Sequence, residues 1–284
     1  MVLSKLLCAG FRRYRKNVFV WLSLVWSVID GLMYSTHYST FTYGWGDDSR
    51  FMISLVIYAV CISVVISFGF GEGAYRNKLV CGHTKTRMYL AEYLLCIAFG
   101  LAMAILTLAA AVIPHLGELG EMELRYGLVF LFDILLSYLS MASIIFALSM
   151  MISNKIMMVV AAVAALVLCV LPNSMEAKVN QLEFLGEKYW MNGEFVWAED
   201  AEPNPHYLKS PFREMAVFAY EATPFGQLER YNQTFSSWKS MGSDLFAEYS
   251  NKSVYLKTIP LYSLCVIVLS FGTGLLLFGK RELK

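Results

Sequence analysis

Glu72–Leu90 reads EGAYRNKLVCGHTKTRMYL and separates two long apolar runs. The segment is short and basic, and its four cations are Arg76, Lys78, Lys85 and Arg87. Loops that stay in the cytoplasm are rich in Lys and Arg, so this composition indicates the cytoplasmic side of a membrane. Tyr75, Leu79 and Val80 give the same segment apolar side chains with which to bind another protein.

The overall composition is that of an integral membrane protein. The 284 residues are 57% hydrophobic and 16% charged, whereas an average soluble domain carries about 25% charged residues. The formal net charge of +1 gives no basic bias of the kind that binds nucleic acid. The six cysteines contain no C-x-x-C pair and none follows Leu171 in the long polar region, which argues against an extracellular disulfide framework or a structural zinc site.

Six apolar runs have the length of a membrane-spanning helix, which needs about 20 residues. They are Val18–Ser35, Phe51–Phe70, Met88–Ile113, Tyr126–Ile152, Ile156–Leu171 and Thr258–Phe278. Five cations precede the first run, four lie between the second and third, one follows the fourth and three lie in the tail. The two short loops on the opposite side contain only Arg50 and Arg125. The positive-inside rule therefore predicts that both termini are cytoplasmic.

The first 17 residues allow two interpretations. One helix face would hold Leu3, Leu6, Leu7 and Phe11. This pattern predicts an amphipathic helix on the inner leaflet, with arginines reaching anionic head groups. The alternative is a basic flank that only sets the topology. A cleaved signal peptide is disfavoured because Asp30 interrupts the apolar run and no A-x-A-like site follows it.

The central basic segment predicts a short helix that Gly82 ends, with Thr84 or Thr86 capping the next span. The run RNKLVCGHTK from Arg76 to Lys85, continuing into Arg87-Met88-Tyr89-Leu90, resembles the coupling-helix region of type-2 ATP-binding-cassette (ABC) permeases from bacteria. Two further stretches are similar to elements of that family. They are the tail GKRELK, Gly279–Lys284, and Pro224-Phe225-Gly226-Gln227, which matches a Pro-x-Gly-Gln element.

The resemblance implies a permease subunit of an exporter, without catalytic activity or a cofactor of its own. Two separate ATPase subunits would bind ATP and magnesium, and a second permease subunit, the same or homologous, would complete the transport path in the bacterial cell membrane. The implied cargo is an amphiphile, such as a bacteriocin-like peptide, a drug or a lipid. Membrane lipid is the remaining expected partner, and nucleic acid is not expected. The residues assigned to ATPase coupling are Tyr75, Arg76, Lys78, Leu79, Val80 and Gly82.

The expected fold is an all-α polytopic membrane protein with a small extracellular α+β insertion between spans five and six. Residues 1–17 form the cytoplasmic segment, 18–171 the first five spans with the coupling segment 72–87, 172–257 the extracellular domain, and 258–284 the sixth span and tail. Asn192-Gly193 predicts a hairpin within Lys188–Trp197. Ser210-Pro211 predicts the start of a helix through Tyr220, with serine as its cap. The insertion is longer than the re-entrant helices usual in the family.

The sequence predicts no catalytic constellation and no metal site, because it has no P-loop, no H-E-x-x-H and only scattered histidines. Asp30 and Asp133 lie within predicted spans, where they line a path for a cationic or hydrogen-bonding substrate or make packing hydrogen bonds. Glu92 is expected to pair with Arg87 or Lys85. Two alternative functions stay open: a sensor or scaffold with an extracellular ligand-binding domain, and an ion-coupled transporter that uses Asp30 and Asp133.

Overall fold

The computed structural model describes residues 2–37, 48–71, 73–114, 121–151, 157–179, 181, 183–185, 188–191, 194–197, 201–227, 230 and 255–281. The helices are α1 (Val2–Lys16), α2 (Val18–His37), α3 (Asp48–Gly71), α4 (Ala74–Val80), α5 (Lys85–Val112), α6 (Glu121–Met151), α7 (Met157–Val179), α8 (Phe212–Ala222) and α9 (Tyr255–Lys280). The strands are β1 (Phe184–Leu185), β2 (Lys188–Met191), β3 (Glu194–Trp197) and β4 (Glu202–Pro203).

Each apolar run of the sequence coincides with one long helix, in the order α2, α3, α5, α6, α7 and α9. The largest difference is at the end of α7, which reaches Val179 instead of Leu171. The helix continues past Pro172 although an interior proline removes one backbone hydrogen bond. In the described chain, three helical segments are long and apolar enough to cross a membrane. They are Ile53–Gly71, Lys85–Ala111 and Pro260–Lys280, and the bent pair α1–α2 makes a fourth when its two helices are counted as one span.

Two of the long helices expose rows of large apolar side chains. On α2 these are Leu22, Val25, Ile29 and Leu32, and on α9 they include Leu261, Leu264 and Val268. Residues three or four apart lie on the same helix face, so each row forms a continuous apolar stripe. A soluble monomer rarely exposes such a surface, whereas a bilayer covers it. The chain is therefore a predominantly helical membrane protein.

The N-terminal segment continues as a helix that meets α2 at a bend of 72°. Asn17 lies at the corner, where its side-chain oxygen accepts a hydrogen bond from the Phe19 N–H at 2.9 Å and so caps α2. Across the corner, the indole N–H of Trp21 donates to the Arg15 carbonyl at 2.8 Å. These two bonds fix the angle between α1 and α2.

One face of α1 packs against α5. Gly10 contacts Leu95, and the Tyr14 ring lies edge-on to Phe99 with centroids 6.2 Å apart. Leu6 is buried on the same face, whereas Phe11 is exposed. Leu6 and Phe11 therefore lie in different surroundings within the predicted apolar face, Leu6 against protein and Phe11 exposed. Because Gly10 has no side chain, α1 approaches α5 closely. The helix face that contains Leu6 and Gly10 therefore contacts protein.

The core lies around α5, which contacts α1, α2, α4, α6 and α9. On the side of α3, the Tyr58 hydroxyl lies 2.8 Å from the Cys96 sulfur. On the side of α6 and α9, aromatic rings interlock, with centroids 5.1 Å apart for Tyr89 and Phe146 and 4.8 Å apart for Tyr93 and Phe271. Aromatic side chains thus pack together where α5 meets α6 and α9.

The region between α7 and α9 contains two small antiparallel strand pairs and α8. Strand β2 pairs with β3, with Lys188 opposite Trp197, which confirms the predicted hairpin. Strand β1 pairs with β4. Helix α8 starts one residue later than predicted, with Pro211 at its N-cap. Ser210 is therefore not the cap, and its hydroxyl donates instead to the Glu214 carboxylate at 2.8 Å.

Candidate functional site

Helix α4, the predicted coupling helix, is bounded by two glycines in the left-handed region. Gly73 has φ 66° and Gly82 has φ 81°, a conformation that other residues rarely adopt. At the C-terminus, the Gly82 N–H donates to the Leu79 carbonyl at 2.9 Å and the His83 N–H to the Lys78 carbonyl at 3.0 Å. This pair of bonds is a Schellman motif. The predicted helix end at Gly82 is confirmed.

The start of α5 connects α4 to the C-terminal tail. The Thr84 hydroxyl accepts a hydrogen bond from the Arg87 N–H, which confirms the predicted cap. The Lys85 ammonium donates to the carbonyls of Gly279 and Arg281, at 2.9 and 2.6 Å. The basic tail and the α4–α5 junction therefore lie together at one end of the bundle.

The inner face of α4 is anchored by Tyr75. Its side chain is 1% exposed, and its ring centroid lies 4.5 Å from that of Phe70 and 6.5 Å from that of Phe278. Burial raises the pKa of the Tyr75 hydroxyl well above its ordinary value, so this group stays protonated. The prediction that Tyr75 is free to enter a partner is wrong, because the ring already fills a pocket between α3 and α9.

Beneath Tyr75, the carboxylate of Glu92 on α5 binds two cations. Lys78 of α4 donates to Glu92 Oε1 at 3.0 Å, and Arg13 of α1 donates to Glu92 Oε2. Glu92 is 1% exposed, and both cations also lie over the Tyr75 ring, 5.6 Å away for Arg13 and 5.2 Å for Lys78. We call Arg13, Tyr75, Lys78 and Glu92 the anchor cluster. It joins three helices through charges that are largely removed from water.

The anchor cluster corrects the predicted pairing of Glu92 with Arg87 or Lys85. Arg87 is exposed, and Lys85 is bound to the tail carbonyls. The sequence does contain a partial signal for Lys78, because Tyr75, Lys78 and Leu79 share one face of a helix through their i, i+3 and i+4 spacing. Arg13 has no such signal, since it lies 79 residues before Glu92.

The outer face of α4 points away from the protein. Its exposed residues are Arg76, Asn77 and Val80, and Cys81 directly after the helix is exposed as well. We call these four residues the exposed face of α4. Val80 is 82% exposed, which is unusual for an apolar side chain at a helix end. Of the other residues predicted to contact an ATPase, Gly82 is also exposed, Leu79 is partly buried, and Tyr75 and Lys78 point inward. The arrangement is a short helix that is fixed on one side and open on the other.

The carboxylate of Asp30 lies between α2 and α3. It is buried, and it accepts a hydrogen bond from the Ser54 hydroxyl at 3.0 Å. The Trp26 indole N–H donates to the same Ser54 oxygen at 3.2 Å. Asp30 therefore makes a packing hydrogen bond, which is one of the two roles that the sequence left open for it. Asp133 belongs to α6, but its side chain lies outside the described residues. The predicted path that joins the two carboxylates therefore also lies outside them.

At the other end of the bundle, the helical segment Pro224-Phe225-Gly226-Gln227 is buried. Gln227 Oε1 accepts hydrogen bonds from Ser137 of α6, at 3.4 Å, and from Ser263 of α9. This segment therefore links α6 and α9 through polar contacts. The same four residues form the Pro-x-Gly-Gln element of the sequence, and they precede the last long helix.

In the described part of the chain, no three His, Cys, Asp or Glu side chains lie close enough together to hold a metal ion. The chain matches no model of a known protein family, no curated protein and no solved structure. The functional argument therefore rests on the residues of this chain, and α4 with its anchor cluster is the candidate functional site.

Proposed function

We propose that the chain is the membrane-spanning subunit of an ATP-driven exporter of the type-2 ABC kind. It moves an amphiphilic substrate, such as a peptide, a drug or a lipid, out of the bacterial cytoplasmic membrane. Separate ATPase subunits, two per complex, bind ATP and magnesium, and a second permease subunit, the same or homologous, completes the path. Helices α2, α3, α5, α6, α7 and α9 span the membrane, both termini are cytoplasmic, and the region between α7 and α9 is extracellular.

The observation that carries the proposal is the way α4 is mounted. Tyr75 and Lys78 fix one side of this short helix to α3, α5 and α9, while Arg76 and Val80 extend from the other side. A basic loop that only sets the topology needs no buried ion pair and no exposed valine. A helix that transmits force needs both a contact surface and a stiff connection to the spans.

The anchor cluster suggests how such a force is passed on. A partner that pushes on Val80 moves α4 as a unit, because the Schellman motif and the glycine at each end define a compact element. Lys78 passes the movement to α5 through Glu92, and Glu92 passes it to α1 through Arg13. Rigid-body movement of packed helices is one established way in which a local event becomes a change of global state.

The test is to replace Val80 with Glu and to purify the full chain from native membranes in a mild detergent. We expect the wild-type chain to co-purify with a P-loop ATPase and V80E to lose it, because the buried centre of a protein interface excludes an unpaired charge. Mass spectrometry identifies the partner, and an ATPase assay on the complex measures its activity.

Two controls make the result specific. Met215→Glu introduces the same charge at an exposed apolar position of α8, away from α4, and we expect it to retain the ATPase. Asp30→Asn removes the carboxylate that an ion-coupled transporter would use, and we expect the ATPase activity of the complex to persist. Purification of the wild-type chain without any ATPase contradicts the proposal, and retention of the ATPase by V80E contradicts the assigned contact face.

A further inference from the structure

Two cavities at the corner between α1 and α2 share the side chain of Phe19. The first has a volume of about 610 Å³ and lies between α1, α2, α3 and the start of α4. The second has a volume of about 450 Å³ and follows the seam between α2 and α3. Both volumes fall in the range of small-molecule sites in proteins, which is roughly 300–1,000 Å³. Phe19 belongs to both walls, so the two cavities are neighbours along α2.

The first cavity is basic. Its lining includes the cations Arg12, Arg13, Lys16 and Lys78, and none of its described lining residues is acidic. Glu92 neutralises part of this charge from below, through Arg13 and Lys78. Arg12 and Lys16 are exposed and remain available to a ligand. The cavity is therefore suited to an anionic group.

The second cavity is lined mainly by apolar side chains. Its walls include Leu22, Val25 and Ile29 from α2 and Val56 and Val60 from α3. Leu22, Val25 and Ile29 are exposed, and they belong to the apolar stripe of α2 that a bilayer covers. The seam is therefore open to hydrocarbon chains from the side.

We propose that the two cavities together bind one anionic phospholipid, with its head group among the cations and one acyl chain along the α2–α3 seam. A basic cavity next to an apolar groove matches the two parts of such a lipid and no uniformly polar ligand. Basic pockets between helices at the cytoplasmic side of a membrane are suited to anionic head groups. The hydrogen bonds at Asn17 and Trp21 hold the corner in place before the lipid arrives, which lowers the cost of binding.

The lipid also bridges the N-terminal helix and the candidate functional site. Its head group contacts Arg12 and Lys16 of α1 on one side and Ala74 and Lys78 of α4 on the other. Binding therefore stabilises α4 in the position that the anchor cluster defines. This inference does not depend on an ATPase partner, so its test and that of the proposed function are independent.

The experiment titrates the detergent-purified full chain with phosphatidylglycerol, phosphatidylcholine or inorganic phosphate. Native mass spectrometry counts the retained lipids, and thermal unfolding measures the stability. We expect retention of one phosphatidylglycerol and a higher melting temperature with this lipid, because a ligand that binds only the folded state stabilises it. Phosphatidylcholine has the same tails without net charge, and phosphate has the charge without tails. We expect neither to reproduce the effect.

Two pairs of variants locate the site. Arg12→Gln with Lys16→Gln removes two charges from the cavity, and we expect phosphatidylglycerol affinity to fall on the order of tenfold. Lys5→Gln with Arg15→Gln removes the same charge from exposed positions of α1 outside the cavity and leaves affinity unchanged. Val25→Trp fills the apolar seam and lowers retention, whereas Leu32→Trp changes an exposed residue of α2 outside it and does not.

Three outcomes would overturn the inference. Equal retention of phosphatidylglycerol and phosphatidylcholine means that the cations do not select the head group. Competition by phosphate at low concentration identifies a site for a free anion instead of a lipid. Unchanged affinity in both the cavity and the seam variants, when these variants fold like the wild type, places lipid binding elsewhere.

Discussion

Glu92 carries a single carboxylate that satisfies cations from two different helices. Its two oxygens accept from Arg13 and Lys78, whose side chains are 16% and 15% exposed. Taking such charges out of water is costly, and the carboxylate offsets that cost only while it remains ionised and correctly placed. Removing Glu92 therefore leaves two cations in a space that was built around a negative charge.

We expect Glu92→Gln to lower the free energy of unfolding by about 3 kcal/mol, which is typical of a buried ion pair that loses one partner. Thermal unfolding in detergent, followed by circular dichroism, measures the loss. Glu202→Gln, at an exposed position of β4, makes the same chemical change and should leave the melting temperature unchanged. Adding Lys78→Met to E92Q should restore part of the stability, since it removes one unpaired charge. Equal melting of E92Q and the wild type would show that the anchor cluster contributes no stability.

Two of the three glycines in α9, Gly272 and Gly274, lie two residues apart and face different surroundings. A Cβ atom on Gly274 would contact the Tyr89 hydroxyl and lie 3.0 Å from the Ala147 side chain, whereas nothing lies within 4 Å of one on Gly272. The close approach of α9 to α5 and α6 therefore depends on Gly274. Small residues at helix contacts are how helices pack closely in membranes.

This difference predicts opposite effects of the same substitution. Gly274→Ala should destabilise the bundle by about 1–3 kcal/mol, the usual cost of overpacking a core. Gly272→Ala should be neutral or slightly stabilising, because alanine favours helix over glycine by about 1 kcal/mol. Thermal unfolding of the two variants in the same detergent gives the comparison. A similar effect of both changes would mean that α9 packs on α5 and α6 through other residues.

The long helices were predictable from the sequence because each depends on a local property, a run of about 20 apolar residues. The turn at Gly82, the cap at Thr84 and the hairpin within Lys188–Trp197 were also predictable, since they depend on a few neighbouring residues. The orientation of α4 was only partly predictable. Its inward face is decided by a carboxylate 14 residues away and an arginine farther still, and such partners leave no pattern in one sequence.

On the scale of the whole molecule, the basic segments converge at one end of the bundle. Arg281, after α9, donates to the Met150 carbonyl near the end of α6 at 2.8 Å, and its guanidinium lies 4.4 Å from the Phe70 ring centroid. Lys85 and Arg13 reach the same end from α5 and α1. Segments that are far apart in sequence thus bring their cations to one end of the bundle, which we propose faces the cytoplasm.

The cysteines allow a direct test of that assignment. Cys8 and Cys81 are exposed at the basic end, whereas Cys61 and Cys96 are buried. We expect a membrane-impermeant maleimide to label Cys8 and Cys81 only after intact cells are permeabilised, with labelled peptides identified by mass spectrometry. A Lys209→Cys variant, at an exposed position between β4 and α8, should be labelled in intact cells and so controls for access of the reagent.

Labelling of Cys81 in intact cells would place α4 outside the cell, where no ATP-hydrolysing partner can reach it. That result would remove the proposed coupling role even if the anchor cluster is as stable as we expect. Labelling only after permeabilisation would mean that Val80 and the basic cavity face the cytoplasm. Because Cys81 directly follows the helix that carries Val80, its accessibility reports on the same surface that the ATPase must contact. The orientation of α4 is therefore the condition on which the exporter proposal depends.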